Sequence, residues 1–175
     1  LGILMVLIII LVFIVMAAQF ESLVDPFVIM FSIPFAFTGI VLGLAVTQTP
    51  LGVMALIGVI MLMGIVVKNG IVLIDYTILC RERGMGIITS VVTAGKSRLR
   101  PVLMTTLTTV LGMIPMAVGT GEGSEMWRSM GMTVAWGLSV STLITLIIVP
   151  TVYAVFAANG VKRRRRKIRK ALRNN

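Results

Sequence analysis

Lys68 and Asn69 stand side by side in GIVVKNGIVLIDY, residues 64–76, inside an otherwise unbroken apolar run. Over residues 51–79 the only formal charges are Lys68 and Asp75. If this run spans a bilayer, its ammonium costs from about 2.5 kcal/mol on insertion scales to more than ~10 kcal/mol in simulation, and residues kept at such a cost usually serve a function. Lys68 and Asp75 are seven residues apart, which sets them on one helical face about 10.5 Å apart along the axis. That is too far for a direct pair, so Lys68 needs a counter-charge from another helix. Further along, Thr105, Thr109 and Gly112 fall within about 60° of one another on a helical wheel, and Arg98 projects to the same side. Small and hydroxyl residues on one face let helices approach and hydrogen-bond across the contact. If that face meets the face of Lys68, the two form a cationic and hydroxyl half-site that still lacks an anion.

Each of these residues has a plainer reading. Lys68 lies in the inner half of its run and could snorkel to the membrane surface as an anchor. The Thr and Gly face could be packing alone. Asp75, Arg81 and Arg83 read as solvated interfacial groups, and the thirteen methionines, spread through the apolar runs, read as packing and lipid-facing residues.

The elements that must position these residues are membrane spans. The chain is 58% apolar, and its 16 Lys and Arg against 6 Asp and Glu give a net charge of +10. The apolar residues come in long charge-free blocks, the signature of an all-α integral membrane protein. Nine of the 16 basic residues sit between Lys162 and Arg173, so the positive charge belongs to a tail and not to a basic face. The chain has no His and a single cysteine, Cys80, which excludes a His-based metal site or triad and an internal disulfide. No cofactor is implied.

Five spans are expected, over about residues 1–18, 27–46, 51–79, 102–118 and 130–158, with a basic cytoplasmic tail over 159–175. The first lacks a basic leader region, a clear cleavage site and an initiator Met, so it reads as a helix within a longer polypeptide or a piece of one. Pro26 marks the start of the second span, and Pro34 should kink it. Between the third and fourth, residues 83–96 carry Met85, Ile88 and Val91 or Val92 at helical spacing and read as a short amphipathic helix on the membrane surface. Ser97 is a candidate cap for the fourth span, with Pro101 in its first turn. GTGEGSE, residues 119–125, is a loop, and Trp127 beside Arg128 is an interfacial anchor.

Arg81, Arg83, Lys96, Arg98 and Arg100 lie between the third and fourth spans, on the same side as the tail if there are five spans. By the positive-inside rule that side is the cytoplasm, which leaves the N-terminus outside and the C-terminus inside. The turn TQTP and the GTGEGSE loop face the other way.

Three stretches then carry a family resemblance. FES followed by PF at residues 20–27, GIVVKNGIVLIDY at 64–76 and AGKSRLRPVLMTTLTTVLGMIPM at 94–116 resemble the final helices, eight to twelve, of resistance-nodulation-division (RND) multidrug efflux transporters, hydrophobe and amphiphile branch. The similarity covers nearly the whole chain up to the basic tail. The resemblance implies five helices of a twelve-helix bundle in the bacterial inner membrane. It also implies a trimer driven by proton entry that exports hydrophobic or amphiphilic compounds. The family's relay uses a lysine on the tenth helix and an arginine and a threonine on the eleventh, which fall on Lys68, Arg98 and Thr105, with Asn69 as the neighbouring polar residue. The relay's two aspartates belong to the N-terminal half, which this chain lacks, along with the periplasmic porter domains. The resemblance therefore implies the cationic half of a relay whose partner is that remaining half, and a chain that by itself neither binds drug nor couples protons.

Two other classes stay open. A free-standing structural or assembly protein would use Lys68 in docking and not in transport. The second class is a membrane-tethered polybasic tail acting on lipid or nucleic acid; more plainly, KRRRRKIRK reads as a topology determinant and an anchor for anionic lipid, worth about 1 kcal/mol per charge near the surface. It has no aromatic or motif support for nucleic acid, and none is expected as a partner. An enzyme is the weakest class, because the sequence shows no nucleophile with a base, no metal cluster and no phosphate loop.

Overall fold

The computed structural model describes residues 2–173, with side chains described for residues 2–161. Its elements are α1 (Gly2–Phe20), α2 (Val24–Met30), α3 (Ile33–Thr47), α4 (Val53–Glu82), α5 (Ile87–Val118) and α6 (Ser124–Arg173). No strand occurs among the described residues. Five segments are long and apolar enough to cross a membrane, with α2 and α3 together making one of them, Val24–Thr47.

The break between α2 and α3 falls upstream of the proline expected to kink that span. Pro34 has no N–H to give to the carbonyl of Met30, and its ring would crowd that carbonyl. Accordingly α2 ends at Met30, and α3 starts with Pro34 in its first turn. The buried Ser32 hydroxyl closes the gap by donating to the carbonyl of Ile29 at 2.6 Å.

Between the third and fourth spans no separate surface helix forms. Residues 87–118 are one helix, with Pro101 and Pro115 inside it. The reason is a shared packing stripe, in which buried Ser90, Ala94, Val102 and Thr106 recur at multiples of four residues. A break at Ser97 would rotate one half of this stripe off its partner. Losing one backbone bond at Pro101 costs about 3 kcal/mol in an isolated helix, which the packing on both sides offsets. Likewise α6 begins at Ser124, so Trp127 and Arg128 lie in its first turns and not ahead of it. Its backbone stays helical to Arg173, so the basic tail continues the last span. The side chains that would bind lipid there lie outside the described residues.

Helix α6 is the centre of the bundle, in contact with α3, α4 and α5. The buried core joins Val28, Ile29, Leu62, Leu73, Ile74, Leu138 and Val149. Close approach depends on small residues. A Cβ built at Gly131 would sit 3.0 Å from the backbone nitrogen of Ala117, so α5 and α6 meet backbone to backbone. A Cβ at Gly43 would collide with the Trp136 side chain. Between α5 and α6 the buried hydroxyls of Thr106 and Thr142 lie 3.1 Å apart and share a hydrogen bond. Helix α1 is peripheral and buries only Met16.

The connections gather at two ends. At one, the Ser129 hydroxyl of α6 donates to the carbonyl of Pro50, in the turn after α3, at 3.1 Å. At the other, the α1–α2 connection, the end of α4 and α6 surround an open cavity of about 970 Å³.

Candidate functional site

Helix α4 sorts its two faces by chemistry. Ala55, Val59, Leu62, Val66, Leu73 and Thr77 are buried against the bundle. Ile57, Met61, Gly64, Lys68, Asp75 and Leu79 are exposed on the other side. Lys68 is thus presented outward from the middle of a 30-residue helix, and nothing lies within 4 Å of the position a Cβ would take at Gly64 one turn before it. Among the described residues no ion pair reaches its ammonium. Asn69, one step round the helix, is half-buried.

On α5, Arg98 occupies the position midway between Ala94 and Val102 in the buried stripe, so it alone of Lys96, Arg98 and Arg100 turns inward. Its guanidinium carbon lies 4.8 Å from the centroid of the Tyr76 ring on α4. Its Nε is buried and has no hydrogen-bond partner among the described residues. A guanidinium over an aromatic face is held by the ring quadrupole, a contribution of about 0.5 to 2 kcal/mol that grows as water is excluded.

Thr105 is exposed, and its hydroxyl turns back on its own helix, within 3.0 Å of the carbonyls of Pro101 and Val102. It spends its one proton there and keeps its lone pairs to accept from outside. Thr109 repeats the arrangement one turn on, donating to the carbonyl of Thr105 at 2.8 Å, and Gly112 faces open space.

Among the described residues no hydrogen bond or ion pair joins Lys68, Arg98 and Thr105. The face of Thr105 and the face of Lys68 both remain open, and Arg98 meets α4 at Tyr76, about two helical turns beyond Lys68. Tyr76 ends the stretch that contains Lys68, but no signal in the sequence pairs it with a residue 22 positions later. A second contact that sequence reasoning missed involves Arg81, whose Nη1 donates to the Tyr153 hydroxyl at 3.0 Å and ties the end of α4 to α6. Asp75 is exposed on the same side of α4 as Lys68. Among the described residues no three of His, Cys, Asp and Glu come together as a metal site.

The AcrB/AcrD/AcrF family model matches residues 1–157. The swarming motility protein SwrC of Bacillus subtilis (strain 168) is 42% identical over 158 residues, which is 90% of this chain and 15% of SwrC. Multidrug resistance protein MdtC of Erwinia tasmaniensis is 38% identical over 143 residues, 81% of this chain and 14% of MdtC. The cobalt-zinc-cadmium resistance protein CzcA of Cupriavidus metallidurans is 37% identical over 143 residues, 82% of this chain and 14% of CzcA. The crystal structure of a heavy metal efflux pump matches with a TM-score of 0.81 at 29% identity, over 90% of this chain and 15% of the pump. This chain therefore spans about 15% of the length of the curated relatives it matches. Five apolar helices, the matched family model and relatives that align over most of the chain agree, and this multi-pass membrane chain belongs to the AcrB/AcrD/AcrF family of RND efflux transporters.

Proposed function

We propose that this chain supplies the cationic side of the proton relay in an efflux transporter of the bacterial inner membrane. The observation that carries the reading is Lys68, presented on the open face of an apolar helix with no ion pair among the described residues. A charge so placed needs carboxylates, and the N-terminal half of the transporter, with its membrane aspartate pair and porter domains, is the partner that brings them. With both aspartates ionised, the ammonium of Lys68 lies between them. Protonating one removes part of the attraction, and the side chain and its helix move to a second arrangement. Thr105 offers lone pairs to the displaced ammonium, Arg98 holds a second positive charge near the same carboxylates, and Asn69 lines the approach. The working unit is a trimer, with this chain's N-terminus on the outer side, its C-terminus in the cytoplasm and its basic tail on anionic lipid.

The exported compounds are hydrophobic or amphiphilic, a reading that the likeness to MdtC supports. Divalent metal cations are a second substrate class, favoured by the likeness to CzcA and to the heavy metal pump. The test is export from membrane vesicles carrying the full-length transporter under an imposed proton gradient, with ethidium and zinc as alternative cargo. Lys68→Met is expected to abolish gradient-driven export of whichever cargo moves, at unchanged membrane abundance. Export of that cargo by the variant at the parent's rate would overturn the relay reading. The cargo the parent moves decides between the two substrate classes.

A further inference from the structure

Arg98 is the one basic residue of its segment that packs inward, and what it packs on is a ring and not an acid. Lys96 and Arg100 are exposed, whereas Arg98 lies in line with buried Ala94 and Val102. Tyr76 is half-buried at the edge of the core, beside buried Ile74 and Thr77. The two meet with the guanidinium carbon 4.8 Å from the ring centroid, while the Arg98 Nε keeps an unused donor.

The choice of a ring has a chemical consequence. A carboxylate at this place would take up the guanidinium's hydrogen bonds and cancel its charge. An aromatic face restrains the cation's position and leaves both the charge and the N–H donors free for an acceptor arriving from elsewhere. Arginine suits this better than lysine, because its planar group stacks on a ring while its edge still donates.

We infer that Tyr76 is a positioning residue of the relay. It holds the Arg98 guanidinium in one orientation through its ring face, so that the charge and the donors of Arg98 are set in place before a carboxylate engages them. The inference rests on the relay reading of Lys68, Arg98 and Thr105. The Tyr76 hydroxyl has no part in it, since the ring alone supplies the attraction.

The test uses the full-length transporter in vesicles under an imposed proton gradient, with membrane abundance and unfolding temperature followed for every variant. Tyr76→Phe and Tyr76→Trp keep a ring face and are expected to export within about twofold of the parent, whereas Tyr76→Leu is expected to be slower by about fivefold or more. A role in packing alone would also slow the leucine variant, so the decisive step is a double-mutant cycle with Arg98→Lys. Lysine keeps the charge but not the planar group that the ring orients, so in that background Tyr76→Leu is expected to cost less than about twofold.

The inference fails if Tyr76→Leu exports like the parent, if the phenylalanine and leucine variants are equally slow, or if Tyr76→Leu costs the same in both backgrounds. Lys68→Met, assayed alongside, separates this failure from that of the relay. If Lys68→Met is inactive while Tyr76→Leu is normal, only the role of Tyr76 falls. If Lys68→Met exports normally, the relay itself falls.

Discussion

An ammonium in an apolar helix stays charged only where something nearby offsets its lost hydration, and the shape of that something sets which cation fits. A slot between two carboxylates suits a compact ammonium with three rotatable donors and not a planar five-donor fork. Lys68→Arg in the full-length transporter is therefore expected to insert normally and to lose most of its gradient-driven export, measured as cargo efflux at matched abundance. Export near the parent's rate would mean that charge alone suffices. Lys68 and Asn69 were legible in the sequence because polar residues interrupt an apolar run, a signal that needs no fold. Spacing alone put Arg98 and Thr105 on one helical face, and only RLRPVLMT, the string that carries the family resemblance, attached a relay role to them. Tyr76 was not legible as Arg98's partner, because the stack depends on how α4 and α5 are rotated against each other.

At the scale of elements, the contact between α5 and α6 leaves no room at Gly131, where an added Cβ would meet the Ala117 backbone at 3.0 Å. Gly131→Val is expected to destabilise the bundle by about 1–3 kcal/mol, because backbone cannot move aside as a flexible side chain can. Gly95→Ala, where nothing lies within 4 Å of the added Cβ, is expected to be neutral or to stabilise by up to about 1 kcal/mol through helix propensity. Thermal unfolding in mild detergent checks both, and equal midpoints for the two variants would contradict the packing described. Hydropathy made the five spans readable, since long charge-free blocks need a bilayer whatever their packing. Continuity was not readable from the same signal. Ser97 and Pro101 look like a helix start, yet α5 runs through them because Ser90, Ala94, Val102 and Thr106 share one stripe. Conversely the second span breaks ahead of Pro34, since a proline acts on the carbonyl four residues before it.

For the whole molecule, five spans place the start of α1 and the end of the last span on opposite sides of the membrane. Cys80 is 2% exposed, so the native thiol gives little background to a membrane-impermeant maleimide. Thr120→Cys is expected to label in intact cells with a permeabilised outer membrane, and Arg83→Cys only after the inner membrane is opened. The reverse pattern would invert the orientation. Lys68, carried at the middle of α4, also lies within the electric field of an energised membrane. Moving one charge fully across costs about 2.3 kcal/mol per 100 mV. A shift of one helical turn, about 5.4 Å of a roughly 30 Å layer, therefore gains or loses only ~0.4 kcal/mol per 100 mV. Neutralising an adjacent carboxylate changes the balance by about 1.4–4 kcal/mol, judged from pKa shifts of 1–3 units for such pairs. Voltage acting on the lysine itself is the weaker influence, so the membrane potential would drive such a pump chiefly by delivering protons to the carboxylates.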